Sequence, residues 1–273
     1  MSLFEAMVLG IVQGLTEFLP ISSTGHLRIV PALVGWDDPG AYFTAVIQIG
    51  TVLAVVIYFW KDLVSITRTW LSSLRKPELR GELDARMGWY VIIATIPISI
   101  LGLAFSSQIE TGARNLYLIG SALIALGLIL GVADRFGRRV RDYASVRLPD
   151  AIAVGFAQAL ALIPGVSRSG STITMGLFLG MKREVAARFS FLLSVPAIVL
   201  SGGYGLLEIF SSDTDQVGIG PILVATLFAF ISGYAAIAFL LKWLSSHSTG
   251  IFVVYRVALG VLVIVLAANG TIS

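Results

Sequence analysis

The sequence predicts an all-α polytopic membrane protein, with six transmembrane helices plus two opposed re-entrant helical hairpins in an inverted repeat. Three observations predict it. Hydrophobic residues make up 56% of the chain and charged residues only 13%, about half the charged share of a soluble domain. Six apolar stretches approach the roughly 20 residues that a spanning helix needs. Two further apolar pairs are each interrupted by a proline and a hydroxyl cluster, and neither arm of either pair is long enough to cross.

In chain order, residues 3–19 form the first short apolar arm. Pro20 stops it, because proline lacks an N–H and clashes with the turn before it. Ile21-Ser22-Ser23-Thr24-Gly25-His26 follows, then a second arm to about Val34 and a turn at 35–40. Residues 42–60 form the first span. Residues 61–86 are polar with an amphipathic middle (Leu63, Ile66, Trp70, Leu71, Leu74), the pattern of a helix lying along a membrane surface. Spans follow at 89–105 and 116–132, then a basic loop at 135–147. The second broken pair occupies 151–180, with Pro164-Gly165 and the tip Ser167-Arg168-Ser169-Gly170-Ser171-Thr172. Spans at 185–207, 219–241 and 251–268 complete the six. The bland reading of 151–180 is a surface loop with serine helix caps. The re-entrant reading places its polar tip inside protein at membrane depth, the setting in which non-helical backbone is tolerated there.

Charge placement tests this count. With the loop after residue 60 inside, 15 of the 19 Lys and Arg residues fall on the cytoplasmic side, as the positive-inside rule expects. The opposite side keeps Arg28 and Arg114, and its loop at 208–215 is acidic. Arg168 and Arg256 remain at membrane depth. The first hairpin then enters from outside and the second from the cytoplasm. At an offset of 145, Gly10, Gln13, Leu15, Ser22 and Gly25 fall on Gly155, Gln158, Leu160, Ser167 and Gly170. One integral membrane domain, 1–273, is therefore expected to contain two inverted repeats, about 1–145 and 146–273. Such folds place their site near the midplane, where broken helices meet.

The composition also excludes chemistry. Without cysteine there is no disulfide and no thiolate nucleophile or metal ligand. Two histidines, His26 and His247, leave little scope for a histidine-built metal centre. The net charge of +3 reflects topology, so no nucleic-acid partner is expected. Glu5 stands where a signal peptide would carry basic residues, so no cleaved signal is expected.

The two tips carry the candidate chemistry. Gln13 and Glu17 are four apart and share a helical face. A carboxylate in an apolar segment is a functional hypothesis by default, although Glu17 could instead serve as a structural partner for Arg168. Ser22, Ser23, Thr24 and His26 add hydroxyls and an imidazole. Arg168 among hydroxyls at a helix start can hold an oxyanion, and phosphate fits best. Carboxylate, hydroxyl, imidazole and arginine supply a cation ligand, a nucleophile, a proton carrier and a charge clamp, the parts phosphoryl transfer needs. Ser23 with His26 as base is the favoured assignment. Attack by His26 itself, and water activated by His26, remain open. Arg256, mid-span beside Tyr255, needs a partner, and a structural role is favoured over contact with phosphate.

The stretch from Gln13 to His26 (QGLTEFLPISSTGH) resembles the first signature of bacterial undecaprenyl-diphosphate phosphatases, the bacitracin-resistance family. Pro164–Thr172 (PGVSRSGST) resembles the second, and the 43–60 span with Gln48 and the Tyr255-Arg256 pair also match. The resemblance implies six spans with two opposed hairpins and hydrolysis of undecaprenyl diphosphate to the monophosphate that carries cell-wall precursors. It implies Mg²⁺ or Ca²⁺ as divalent cation, bacitracin as a competitor for the substrate, and the bacterial inner membrane as location. A homodimer is among the assemblies it allows. It assigns Glu17, Ser22, Ser23, His26 and Arg168 to the active site, Glu17 as the metal ligand, with Gln13, Ser167, Ser169 and Thr172 in support; Thr24 is a further substrate-binding candidate. The first position of the family's E/QxxxE motif is Gln13 here, which leaves one fewer carboxylate. The isoprenoid tail would lie between spans, with the headgroup arriving from the extracytoplasmic leaflet. The rival class is a transporter or flippase for a polyprenyl phosphate, since broken helices in inverted repeats are also transporter architecture.

Overall fold

The computed structural model describes residues 1–105, 115–211 and 218–272, the side chains of 41–42 and 204–211 excepted. Among them the chain is helical throughout, with no strand beyond one isolated bridge between Arg141 and Met181. Arg114 and the acidic side chains of 208–215 lie outside the described residues.

Eleven α-helices lie among the described residues. Helix α1 (Leu3–Phe18) opens on a capping box in which the Ser2 hydroxyl accepts from Glu5 N and the Glu5 carboxylate accepts from Ser2 N, satisfying two otherwise free donors. It stops just before Pro20. Helix α2 (Ser23–Val34) ends on Gly35 in the left-handed region. Helix α3 (Gly40–Tyr58) bends by 79° into α4 (Trp60–Arg75). Then come α5 (Leu83–Ala104), α6 (Leu116–Phe136), α7 (Leu148–Ala159), α8 (Arg168–Phe178), α9 (Arg183–Ser211), α10 (Ile219–Leu244) and α11 (Gly250–Ala268). Helices α5, α6, α9, α10 and α11 are each long and apolar enough to cross a membrane, and α3 makes a sixth when taken with α4.

The two short, broken pairs pack in matching ways. Helix α1 lies along α10, where a Cβ on Gly10 would stand 2.3 Å from the Ala225 carbonyl oxygen. Helix α7 lies along α5, where a Cβ on Gly155 would stand 2.7 Å from Ala94 backbone atoms. Each glycine therefore lets two helix backbones approach through dispersion contacts, the force available between helices in lipid. The basic loops are knitted at one end of the bundle. Asp134 at the end of α6 accepts from Arg183 Nε at 2.6 Å and from Thr249 N at 2.7 Å, tying the starts of α9 and α11. Arg141 forks onto Asp150 at 2.9 and 2.5 Å and donates to the Leu179 carbonyl. This pairing raises the Arg141 guanidinium above its ordinary pKa.

Gly10→Ala should destabilise the detergent-solubilised protein by about 1–3 kcal/mol, the usual cost of overpacking. The atoms in the way are backbone and cannot turn aside. Gly203→Ala, which meets nothing within 4 Å, should leave the thermal midpoint unchanged or slightly raised in the same measurement, since alanine is the better helix former.

Candidate active site

The site forms where the two helix breaks meet. Between α1 and α2 the chain turns through Ser22 at φ 76°, and before α8 it turns through Ser167 at φ 72°. A left-handed serine costs about 1–3 kcal/mol. Both are held there by the same cap. Ser22 Oγ accepts from Gly25 N at 3.3 Å and Ser167 Oγ accepts from Gly170 N at 3.0 Å, so each hydroxyl satisfies a free donor at its helix start. The two breaks touch directly, since Ser169 Oγ donates to the Leu19 carbonyl at 3.0 Å.

Arg256 locks the junction. It is fully buried, and its guanidinium donates to five carbonyls. Nη1 reaches Pro20 at 3.1 Å; Nη2 reaches Gly165 at 3.1 Å, Val166 at 3.0 Å and Ala122 at 3.4 Å; Nε reaches Leu123 at 3.2 Å. Pro20, Gly165 and Val166 lie in the breaks, outside any helix, whereas Ala122 and Leu123 lie inside α6, and a buried cation needs such partners. Gly170 leaves the room: a Cβ there would stand 2.7 Å from Arg256 Nη1. The structural role is the observed one, and it extends to the first break as well as the second.

Glu17, one turn before the first break, is buried and receives three groups. Gln13 Nε2 donates to Oε2 at 3.0 Å, Ser23 Oγ donates to Oε2 at 2.6 Å, and Arg168 Nη2 lies 3.4 Å from Oε1. Gln13, Glu17, Ser23 and Arg168 thus come together although they span 155 positions. Three buried polar atoms here have no hydrogen-bond partner among the described residues: Arg168 Nε, Arg168 Nη1 and Gln13 Oε1. Buried donors are rarely left this way. Each of the two Arg168 nitrogens makes, with the neighbouring Nη2, a fork of the kind that binds two oxygens of a phosphate, and Nη2 has two N–H groups of which Glu17 needs only one.

The remaining candidates sort by contact. His26 and Ser23, the pair favoured from their spacing, each have another hydrogen-bond partner here. His26 Nδ1 lies 2.7 Å from the Ser22 carbonyl oxygen and its Nε2 lies 2.7 Å from the Tyr255 hydroxyl. A carbonyl can only accept, so Nδ1 carries a proton, and Nε2 is hydrogen-bonded to the Tyr255 hydroxyl. The physical reason is local. The Ser22 carbonyl, four residues back, captures the ring, while the Glu17 carboxylate draws Ser23 away. Tyr255 also stacks on His26, with planes 7° apart and centroids at 5.6 Å. Thr24 is exposed and its hydroxyl lies 3.3 Å from that of Ser22. Ser167 pairs with Ser169 at 3.2 Å. Thr172 donates to the Arg168 carbonyl at 2.7 Å and lies 2.6 Å from Ser190 Oγ on α9, so it fastens α8 to α9. Sequence reasoning missed Ser190, and although the Tyr255-Arg256 pair stood out, its pattern did not mark Tyr255 as the partner of His26. Among the described residues no three His, Cys, Asp or Glu side chains cluster as a metal site.

A helical membrane protein whose two broken helices bring a carboxylate, a hydroxyl and a guanidinium with unpartnered N–H groups to one buried point is built to handle a phosphorylated compound. The comparisons make this specific. The chain belongs to the bacitracin resistance protein BacA family, whose model matches residues 6–262. It is 56% identical to the undecaprenyl-diphosphatase of Nocardioides sp., over 98% of each chain. It is 53% identical to that of Chlorobaculum parvum, over 99% of each. With that of Thermobifida fusca it shares 52% identity over the whole of this chain and 93% of the relative.

Arg256→Lys should lower stability by about 2 kcal/mol or more, because an ammonium cannot reach carbonyls on three elements and leaves buried acceptors unpaired. A fall of the thermal midpoint in detergent, together with loss of activity, checks it.

Proposed function

We propose that this chain hydrolyses undecaprenyl diphosphate to undecaprenyl phosphate and inorganic phosphate, returning the lipid carrier to cell-wall synthesis and so conferring resistance to bacitracin, which competes for the same substrate. The observation that carries the reading is the pair of free, buried N–H groups of Arg168 beside the hydrogen-bonded Ser23 and Glu17. The names of relatives more than half identical over nearly the full chain support it.

Arg168 would hold two oxygens of the terminal phosphoryl group through Nη2 and one of its unpartnered nitrogens, Nε or Nη1, while the second Nη2 N–H stays on Glu17. Ser23 Oγ attacks the terminal phosphorus and passes its proton to Glu17 Oε2, across a bond already 2.6 Å long. The bond to the bridging oxygen breaks, and the lipid monophosphate leaves with its electron pair. Water then attacks the phosphoserine phosphorus, the bond to Ser23 Oγ breaks, protonated Glu17 returns its proton to that oxygen, and phosphate leaves with one of the water protons while the other passes to solvent. Glu17 is the base in this scheme, and His26 with Tyr255 fixes the start of α2 so that Ser23 keeps its aim. A divalent cation, Mg²⁺ or Ca²⁺, fits the donors present: Gln13 Oε1 is a buried acceptor without a partner, and Glu17 adjoins it. When bound, the cation supplies charge neutralisation for the diphosphate, and such ions need few protein ligands when phosphates provide the rest. A pure transporter of the same headgroup would need the fork but not a serine bonded to a carboxylate, which favours hydrolysis.

We also read the fold as six spans and two re-entrant hairpins in inverted repeats. The reciprocal seating of Gly10 on α10 and Gly155 on α5, and the twin left-handed serines, support this. The basic loops then face the cytoplasm, and the first hairpin admits substrate from the extracytoplasmic leaflet.

Purified protein should release phosphate from undecaprenyl diphosphate, and EDTA should suppress the release. Arg168→Lys should lose at least about tenfold in kcat/KM, since a point charge cannot reproduce the fork. Turnover near wild type would remove the clamp from the mechanism.

The nucleophile is separately testable. Ser23→Ala should abolish turnover with lipid binding nearly intact, and quenched wild-type enzyme should carry acid-stable phosphate on Ser23. Substantial hydrolysis by Ser23→Ala would transfer the attack to water.

A further inference from the structure

Helix α4 has a worked inner face and an unassigned outer one. It leaves α3 at 79°, so with α3 crossing the bilayer it runs close to the membrane plane. Its inner face is docked on α5 and α9. Ile66 and Ser73 are buried, Asp62 pairs with Arg188 at 2.7 Å, Ser65 donates to Asp84, and Trp70 meets Trp89 edge-on at 5.5 Å. The outer face carries Trp60, Val64, Thr67, Leu71 and Leu74, all exposed. Steps of four and three keep them on one side of a helix.

Beside this stripe stand Lys61, Arg68 and Arg75, also exposed. Their spacing of seven returns them to nearly the same side every two turns, about 10.5 Å apart along the axis. None of the three has an ion-pair partner among the described residues, where the adjacent Asp62 is taken by Arg188. Lys61 and Arg68 flank a groove of about 310 Å³ walled by Trp60.

We propose that this face of α4 is a docking surface for anionic phospholipid headgroups of the adjoining leaflet. The apolar stripe lies at the headgroup–acyl boundary and Trp60 anchors the bend at the interface. The cation row meets lipid phosphates, an attraction that each Lys or Arg near an acidic surface strengthens. Charge complementarity selects the occupant, because a neutral leaflet leaves three aligned cations unmatched. None of these residues belongs to the proposed catalytic site, so the surface stands whether or not that chemistry does.

The test uses full-length protein in phosphatidylcholine bilayers, with spin-labelled phosphatidylglycerol and spin-labelled phosphatidylcholine compared by EPR at the protein boundary. Wild type should prefer phosphatidylglycerol, and about 0.5 M salt should remove most of that preference. Lys61→Gln/Arg68→Gln/Arg75→Gln should reduce it at least about fivefold. Arg135→Gln/Arg138→Gln/Arg147→Gln, which removes as much charge from another loop, should keep it. Equal loss in both triple variants, or a preference indifferent to salt, would overturn the proposal. So would a triple variant on α4 that changes the oligomeric state while its lipid preference stays put, since the face would then join two copies.

Discussion

The contact between Arg256 and the carbonyls of the two breaks is the constraint on which the rest of the site depends. A guanidinium buried among apolar helices is costly alone, and so are carbonyls that a proline or a turn has cut loose from their helices. Each cancels the other's cost. Five acceptors from three elements converge on one cation, and the tips of the two broken pairs become a single rigid junction. Two serines can then be kept in a backbone region that serine ordinarily avoids, because both the caps and the arginine hold them.

With the junction fixed, the second arginine has a different task. Arg168 shares its charge with Glu17 through one nitrogen only and leaves the others free. The same side chain is saturated at position 256 and open at position 168, and that difference separates scaffold from chemistry. Glu17 is likewise poised, with one oxygen toward the arginine and the other between Gln13 and a serine hydroxyl.

Much of this was legible in the sequence. The apolar stretches and their breaks at Pro20 and Pro164 marked the helices, because spacing and proline act locally. Glu17, Ser23 and Arg168 stood out because charged and hydroxyl groups are rare in such surroundings. What spacing could not give was pairing across the fold. Ser23 and His26, three apart, looked like partners, yet each is captured by a nearer competitor, a carboxylate and a carbonyl. Tyr255 lies 229 positions from the ring it holds, and Thr172 meets a serine on another helix. Such contacts depend on how helices are rotated against one another, which a linear pattern does not encode.

Both residues that secure the first break, Tyr255 and Arg256, lie on α11, which the ribosome makes after every other described helix. The order of synthesis therefore matters to the centre. Through most of its insertion the nascent protein holds two interrupted helices whose freed carbonyls must rely on water or on temporary partners. Only when α11 enters beside α6 does the cation arrive that closes them. The reactive groups are encoded early and assembled last, which keeps a half-inserted chain from carrying a finished site.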